Sequence, residues 1–361
     1  MSGPITKEDI EHEAIAVEKL RRQSRHANII QIFRHGWMES TGRTSPLPVY
    51  YVDMELGDMT LQQYIREAYT QDNRVNYPGI PPENVFLVML DIVGGLGFLH
   101  QRHMIHRDLK PANSKFSGDP PELKVVLLVQ GGPRRKHRWK IADFGIATVG
   151  TSKRLIVTKY GRGTAYYSAP EILLAEGSTP TYTNKVDIWG LGSILYELWE
   201  GKRPFQTSFH VMQYFWNQSE CPMLTRQRWM SFNFYRHPDE RRVCESLWSA
   251  VTLHFPTNSS VVPNPPYSTV TTENYATTLN AFLALLLHRE ENRRPSIRQV
   301  GQLIAVNYLV SVVVGIYTLR SSHTASSMLE NLTKNDPSPA HLMFLVDLQA
   351  VVCNKNGTDK T

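Results

Sequence analysis

Residues 106–113 read His-Arg-Asp-Leu-Lys-Pro-Ala-Asn. This places an aspartate, a lysine and an asparagine on one short loop, each with its own chemical use. The Asp108 carboxylate can accept a proton from an incoming hydroxyl. The Asn113 side-chain oxygen can ligate a hard cation such as Mg²⁺. Lys110 can balance the charge of a phosphoryl group in transfer. A surface turn made polar by chance would have the same composition. What separates the two readings is whether the chain also supplies elements that hold such a loop and further groups that complete it.

The loop is preceded by a helical pattern over residues 83–103, where Val85, Phe86, Met89, Ile92, Val93, Leu96 and Leu99 recur at helical spacing. Gly94, Gly95 and Gly97 each weaken this helix by up to about 1 kcal/mol relative to alanine. Close packing against another element would account for them. Upstream, residues 7–24 form a second helical pattern with Ile10, Ala14, Val17 and Leu20 on one face. His26-Ala27-Asn28-Ile29-Ile30 then breaks the helix and opens a short strand through Phe33. Residues 49–56 read as a strand with a polar end, and 61–68 as a short helix. Downstream, residues 139–142 read as a strand that runs into Asp143-Phe144-Gly145. Ser168-Ala169-Pro170-Glu171 follows, and Asp187 opens a helix through about Trp199. That helix is apolar on most faces, as a buried central helix should be. Between Asn113 and Trp139 lies Ser114–Arg138, with the apolar run Val125–Val129, for which no mate is evident, and the basic cluster Arg134-Arg135-Lys136-His137-Arg138. An apolar strand of this kind needs a partner or burial.

Taken together, these stretches resemble the eukaryotic Ser/Thr protein kinases. The loop matches H-R-D-x-x-x-x-N, with the lysine two positions after the aspartate that is typical of Ser/Thr kinases. Asp143-Phe144-Gly145 matches D-F-G, and Ala169-Pro170-Glu171 matches A-P-E. Gly163-Thr164-Ala165-Tyr166-Tyr167 resembles G-T-x-x-Y, and Asp187-Ile188-Trp189-Gly190-Leu191-Gly192 resembles D-x-W-[SG]-x-G. The resemblance runs from about residue 7 to 306. It implies an α+β, protein-kinase-like fold with a mainly helical large lobe and an incomplete small lobe. The implied division is 1–56 for the small-lobe remnant and hinge, 57–306 for the large lobe with insertions near 114–138 and 201–275, and 307–361 for a tail. The implied activity is transfer of the ATP γ-phosphoryl group to protein hydroxyls, with ATP and Mg²⁺ as cofactors. Asp108 would orient and deprotonate the hydroxyl, Lys110 would stabilise the transferred group, and Asn113 and Asp143 would hold Mg²⁺.

The resemblance assigns further positions. Met54 would guard the back of the adenine pocket, with the backbone of Glu55 and Leu56 bonding the adenine edge. Glu13 is the first candidate for the helix glutamate that pairs with a strand lysine, with Glu11 and Glu18 as rivals. Asp187 would accept backbone N–H bonds from the catalytic loop, and Arg294 would pair with Glu171. Thr164 would bridge Asp108 and Lys110. Thr158 is the first choice for a regulatory phosphosite that pairs with Arg107, ahead of Thr151 and Ser152. Two departures stand out. Nothing ahead of the first helix matches the Gly-rich loop or strand lysine of the family, so Mg-ATP binding is expected to be weak. The spacing from Asp108 to Asp143 also exceeds the family's usual one, through either a loop insertion or a gene-model error, the latter slightly preferred. A catalytically impaired fragment that serves as a protein-binding module is therefore the alternative to an active enzyme.

Composition sets the remaining bounds. The 361 residues are 41% hydrophobic and 20% charged, the balance of a globular chain. The net charge of +6 is spread out, so a nucleic-acid partner is not expected, and a protein substrate is. Three cysteines, Cys221, Cys244 and Cys353, give neither a disulfide framework nor metal-ligand spacing, which favours a reducing compartment. The charged start MSGPITKEDIEHE does not read as a secretory signal. A cytoplasmic or nuclear location follows from these readings. Residues 299–319 carry no charge and are long enough for a bilayer, but Gln299, Gln302 and Asn307 interrupt them and make a membrane span a weak candidate.

Overall fold

The hydrophobic periods of the chain resolve into a small region built on two strands and a larger, mainly helical one. The computed structural model describes residues 7–22, 25–38, 49–70, 79–111, 126–130, 137–144, 148–149, 156–157, 166–174, 181–216, 221–224 and 272–304. In the small region, helix α1 (Lys7–Arg22) buries Ala16, Val17 and Leu20 and packs on strand β1 (Ile32–Met38). Strand β1 pairs antiparallel with β2 (Val49–Met54), with a bulge between Ile32 and Arg34. The short strand expected after the His26–Ile30 break and through about Phe33 instead runs on to Met38. Ile29 makes a single parallel bridge to Ile141, and β1 begins only at Ile32.

The larger region opens with β3 (Met59–Thr60), which leads directly into α2 (Leu61–Thr70). Thr60 and Gln63 exchange backbone-to-side-chain hydrogen bonds at 2.8 and 3.1 Å, a reciprocal cap that fixes the helix start. Helix α3 (Pro82–Gln101) begins on a proline, whose missing N–H costs nothing in the first turn, and ends where His103 turns left-handed (φ 57°). Strand β4 (Met104–Ile105) then carries the chain to His106. The glycines of α3 separate by role. A Cβ at Gly94 would lie 2.8 Å from Asn28 Oδ1, and one at Gly95 would lie 2.7 Å from Asn28 O, whereas nothing approaches Gly97 within 4 Å. Two of the three therefore let the segment after α1 sit directly on α3.

Strands β5 (Val126–Gln130) and β6 (His137–Ile141) form an antiparallel ladder, with Val126 opposite Ile141 and Gln130 opposite His137. Strand β3 adds to the other edge of β5. The run that lacked an evident mate in the sequence is thus the middle strand of a three-stranded sheet, with Val126, Leu127 and Val129 buried. The mate was missed because the second strand starts two residues earlier than its apolar part suggests. Short pairs follow, β4 with β7 (Thr148–Val149) and β8 (Ile156–Val157) with β9 (Thr181–Tyr182), and α4 (Pro170–Leu173) lies between β8 and β9.

Helix α5 (Lys185–Glu200) is the centre of the larger region. Every residue from Val186 to Glu200 is buried, as expected of a helix that is apolar on most faces. Gly201 ends it in the left-handed region (φ 73°), and Tyr69 of α2 donates to the last carbonyls, at 3.0 Å to Leu198 and 2.6 Å to Trp199. Around α5 lie α6 (Ser208–Trp216), α7 (Thr272–Leu286), the 3₁₀ turn Glu291–Arg293 and α8, residues 297–304. Among the described residues, α3 contains the one stretch (Asn84–Gln101) long and apolar enough to cross a membrane, and 67% of that stretch is buried in the fold. Of the charge-free run 299–319, residues 305–319 lie outside the described residues.

Candidate active site

The loop that starts at His106 is suspended from the first turn of α5. Asp187, 1% exposed, receives His100 Nε2 at 2.8 Å and the backbone N–H groups of His106 at 3.0 Å and Arg107 at 2.8 Å. Burial pushes its carboxyl up. The hydrogen bond from His100, the electrostatic influence of the His100 and His106 rings, and the His106 N–H more than offset this and hold it below the usual range. A carboxylate in a first helical turn is favoured further by the helix dipole. Gly190, one turn on, leaves room for the loop backbone, since a Cβ there would lie 3.0 Å from Leu109 O.

Held this way, the loop adopts a conformation that a free chain avoids. Arg107 is left-handed (φ 71°), a state that costs a non-glycine residue about 1–2 kcal/mol. Its N–H bond to Asp187 and the bond of its guanidinium to Tyr182 Oη at 2.8 Å offset the strain. Lys110 Nζ donates to Asp108 Oδ2 at 2.6 Å, a charge-assisted contact between a buried lysine and a mostly buried carboxylate. Non-glycine residues with positive φ mark sites that the surrounding fold over-determines.

Strand β6 leads into the second acid, Asp143. His106 Nε2 donates to Ala142 O at 3.0 Å, and its ring meets Phe144 edge-on at 5.7 Å. Asp143, between them, is also left-handed (φ 59°), and Phe144 is buried. A carboxylate such as that of Asp143 is a hard-oxygen donor of the kind divalent cations accept. Asn113, Gly145, Thr158 and Thr164 lie outside the described residues, as do Thr151 and Ser152.

At the other side, Met54 closes β2 opposite Ile32. The Glu55 N–H donates to Gln31 O at 2.8 Å, so of its two backbone groups only the carbonyl is left to meet a ligand edge. The Glu55 side chain is occupied as well. It accepts the Gln31 N–H at 3.1 Å and takes Lys140 Nζ on both oxygens at 2.7 Å. Leu56 is 87% exposed, and a Cβ on Gly57 would lie 2.9 Å from Leu127. The strand first read as mateless therefore backs this segment. Glu13 lies within α1, but its side chain is outside the described residues, as is that of Glu11. Glu18 is engaged by Arg21, Arg22 and His35.

Below the loop, Arg294 and Glu171 form a bidentate pair at 2.6 and 2.8 Å, and the guanidinium also reaches the carbonyls of His288 and Lys185. Tyr167 Oη donates to Glu197, whose carboxyl is pushed up by burial. Sequence reasoning missed His100, Tyr182, Glu197 and Asp91. Asp91 carried a signal, because it is a lone carboxylate within the apolar stretch Val88–Val93 of α3. It accepts Asn28 Nδ2 at 2.8 Å and the Trp139 N–H at 3.0 Å.

Comparison with known proteins agrees with this geometry. A model of the protein kinase domain matches residues 5–304. The serine/threonine-protein kinase ATG1 of Mycosarcoma maydis is 33% identical over 150 residues, which cover 40% of this chain and 14% of that protein. ATG1 of Gibberella zeae is 32% identical over 208 residues, covering 52% of this chain and 21% of that protein. ULK1 of Homo sapiens is 29% identical over 194 residues, covering 53% and 15%. The chain thus spans well under a third of the length of these relatives. With its family model matched over most of its length, the chain belongs to the protein kinase domain family.

Proposed function

We propose that this chain transfers the ATP γ-phosphoryl group to serine or threonine hydroxyls of a protein substrate. The observation that carries the reading is the Asp108–Lys110 contact on a loop hung from Asp187. Asp108 holds the incoming hydroxyl and takes its proton. Lys110 leaves Asp108 for the transferred phosphoryl oxygens as charge develops on them. Asp143, together with Asn113, holds the Mg²⁺, which neutralises the phosphate charge when bound. The Met54–Leu56 segment receives the adenine edge, chiefly through the Glu55 carbonyl, and Glu13 remains the candidate helix glutamate. Glu171 and Arg294 brace the substrate side. Thr164 bridges the catalytic pair, and Thr158 is the regulatory phosphosite facing Arg107. A reducing intracellular compartment suits the few cysteines. A non-catalytic binding module is disfavoured, because Asp108, Lys110 and Asp143 are all present and the relatives are named serine/threonine kinases.

The test is phosphorylation of a generic Ser/Thr-containing protein by the chain and by Asp108→Asn, with small alcohols as competing acceptors. Loss of general-base help predicts a fall of about 10²–10⁴-fold in rate with an unchanged melting temperature. Undiminished activity in Asp108→Asn, or equal use of small alcohols, would overturn the reading.

A further inference from the structure

A cavity of about 520 Å³, lined by neither Asp108 nor Asp143, opens where the end of α1, the 25–31 segment and the start of β1 meet α3 and β6. Its volume falls in the range of ligand sites. Its floor is apolar, formed by Leu20, Ile29, Ile30 and Phe98. His26 lies on Phe98 with ring centroids 4.7 Å apart, and its Nδ1 accepts the Asn28 N–H, so the ring proton sits on Nε2.

The wall and surroundings are basic. Arg21, Arg25 and Lys140 line the cavity, and the charges of Arg102 and Arg138 reach His26, which burial first and then these two arginines hold below the ordinary histidine range. Arg21 and Lys140 are paired with Glu18 and Glu55. Arg25 is in no ion pair among the described residues. Its hydrogen-bond partner is the neutral Gln31 amide, oriented with its oxygen 2.9 Å from the guanidinium. The site therefore carries positive charge that no carboxylate among the described residues neutralises.

The mouth carries an unexplained aromatic. Phe33 is the extra residue at the β1 bulge, lines the cavity and is 54% exposed. Bulges re-aim side chains at functional edges. Among the described residues β1 is paired on one edge only, by β2, so an extended segment can lie along the other.

We propose that this cavity is a docking site for an acidic peptide segment carrying one bulky apolar side chain. The apolar side chain enters between Phe33 and Phe98, and a flanking carboxylate meets Arg25. The site is separate from the phosphoryl-transfer site and stands whether or not the chain is active.

The probe is a fluorescein-labelled peptide of glutamates around one phenylalanine, titrated with the full chain by fluorescence anisotropy. Arg25→Glu and Phe33→Ala, both at exposed positions, should each weaken binding about tenfold or more without lowering the melting temperature. The lysine counterpart of the peptide should bind at least about tenfold more weakly, and excess Mg-ATP should not displace the probe. Equal binding of the two peptides, wild-type affinity in both variants, or displacement by Mg-ATP would overturn the proposal. So would sedimentation that shows a dimer of the chain abolished by Phe33→Ala, since the occupant would then be a second copy.

Discussion

The two regions of the chain secure themselves by different means. In the larger one, α5 is enclosed from Val186 to Glu200, and its buried carboxylates Asp187 and Glu197 engage other elements: Asp187 the backbone of His106 and Arg107, Glu197 the Tyr167 hydroxyl. In the small one, α1 and two strands leave Ile15, Phe33, Trp37 and Met38 substantially exposed. A two-stranded sheet is at best marginal by itself. Ala16, Val17, Leu20, Ile29, Ile30 and Ile32 join the larger region's hydrophobic core, and hydrogen bonds add to that contact. Ile30 N–H donates to Ile141 O and Ile141 N–H to Asn28 O, both at 2.9 Å, while the Asn28 side chain bridges Asp91 and Trp139 O. Lys19 adds a bond to Arg102 O at 2.8 Å. The larger region is held by burial around one helix, the smaller by one modest apolar face and a few hydrogen bonds to that region's α3 and β6. Local opening of the small region should therefore be possible while α5 stays closed.

The largest effect should come from the larger region's buried pair. Arg294→Met leaves Glu171 unpartnered and the carbonyls of His288 and Lys185 without their donor. Breaking one side of such a pair costs about 3–5 kcal/mol. Urea denaturation should report that loss over the whole transition, and a loss below about 1 kcal/mol would mean the pair is not a structural anchor.

A smaller and more local effect is expected at Asn28. Asn28→Ala removes the amide that bridges Asp91 and Trp139 O, leaving buried polar groups short of partners at a cost of about 1–3 kcal/mol. Hydrogen exchange should quicken in β1 and β2 and stay unchanged in α5. Equal quickening in α5 would erase the distinction between the regions.

How much of this was legible follows from sequence distance. The 106–113 stretch, the Asp143 segment and α5 are each written within a few consecutive residues, and their periodicity or side-chain chemistry reads locally. The identity of the Arg294 partner came through family resemblance, since Glu171 lies 123 positions away. Without such help, contacts of that span were not readable. Asp91 and Asn28 are 63 residues apart, and nothing local to either names the other. The Val125–Val129 run failed for a related reason. Strand pairing depends on register with a second segment, and His137 and Arg138 looked like part of a basic cluster rather than the start of β6. Gly94 and Gly95 were visible as an anomaly, but what approached them was not.

The finest test of the contrast is titration of the small region alone. Burial, then the charges of Arg102 and Arg138, keep His26 below its ordinary value of about 6.5. Between that value and the lower one of the fold, the unfolded chain binds more protons than the folded one. Stability contributed by neutral His26 is therefore present above about pH 6.5, falls as pH drops through that window, and levels off below the folded value. Protonation also costs the Asn28 N–H its acceptor, because protonated Nδ1 can no longer accept it. His288 is lowered too, by burial first, so the larger region keeps a slope of its own. His26→Gln retains an acceptor for the Asn28 N–H and removes the titration. Exchange protection of β1 and β2 should then lose its acid dependence between about pH 7.5 and 5.5, while global stability keeps the part that His288 supplies. An undiminished acid dependence of β1 and β2 in the variant would place the titrating group elsewhere and leave the small region's attachment to α3 independent of His26.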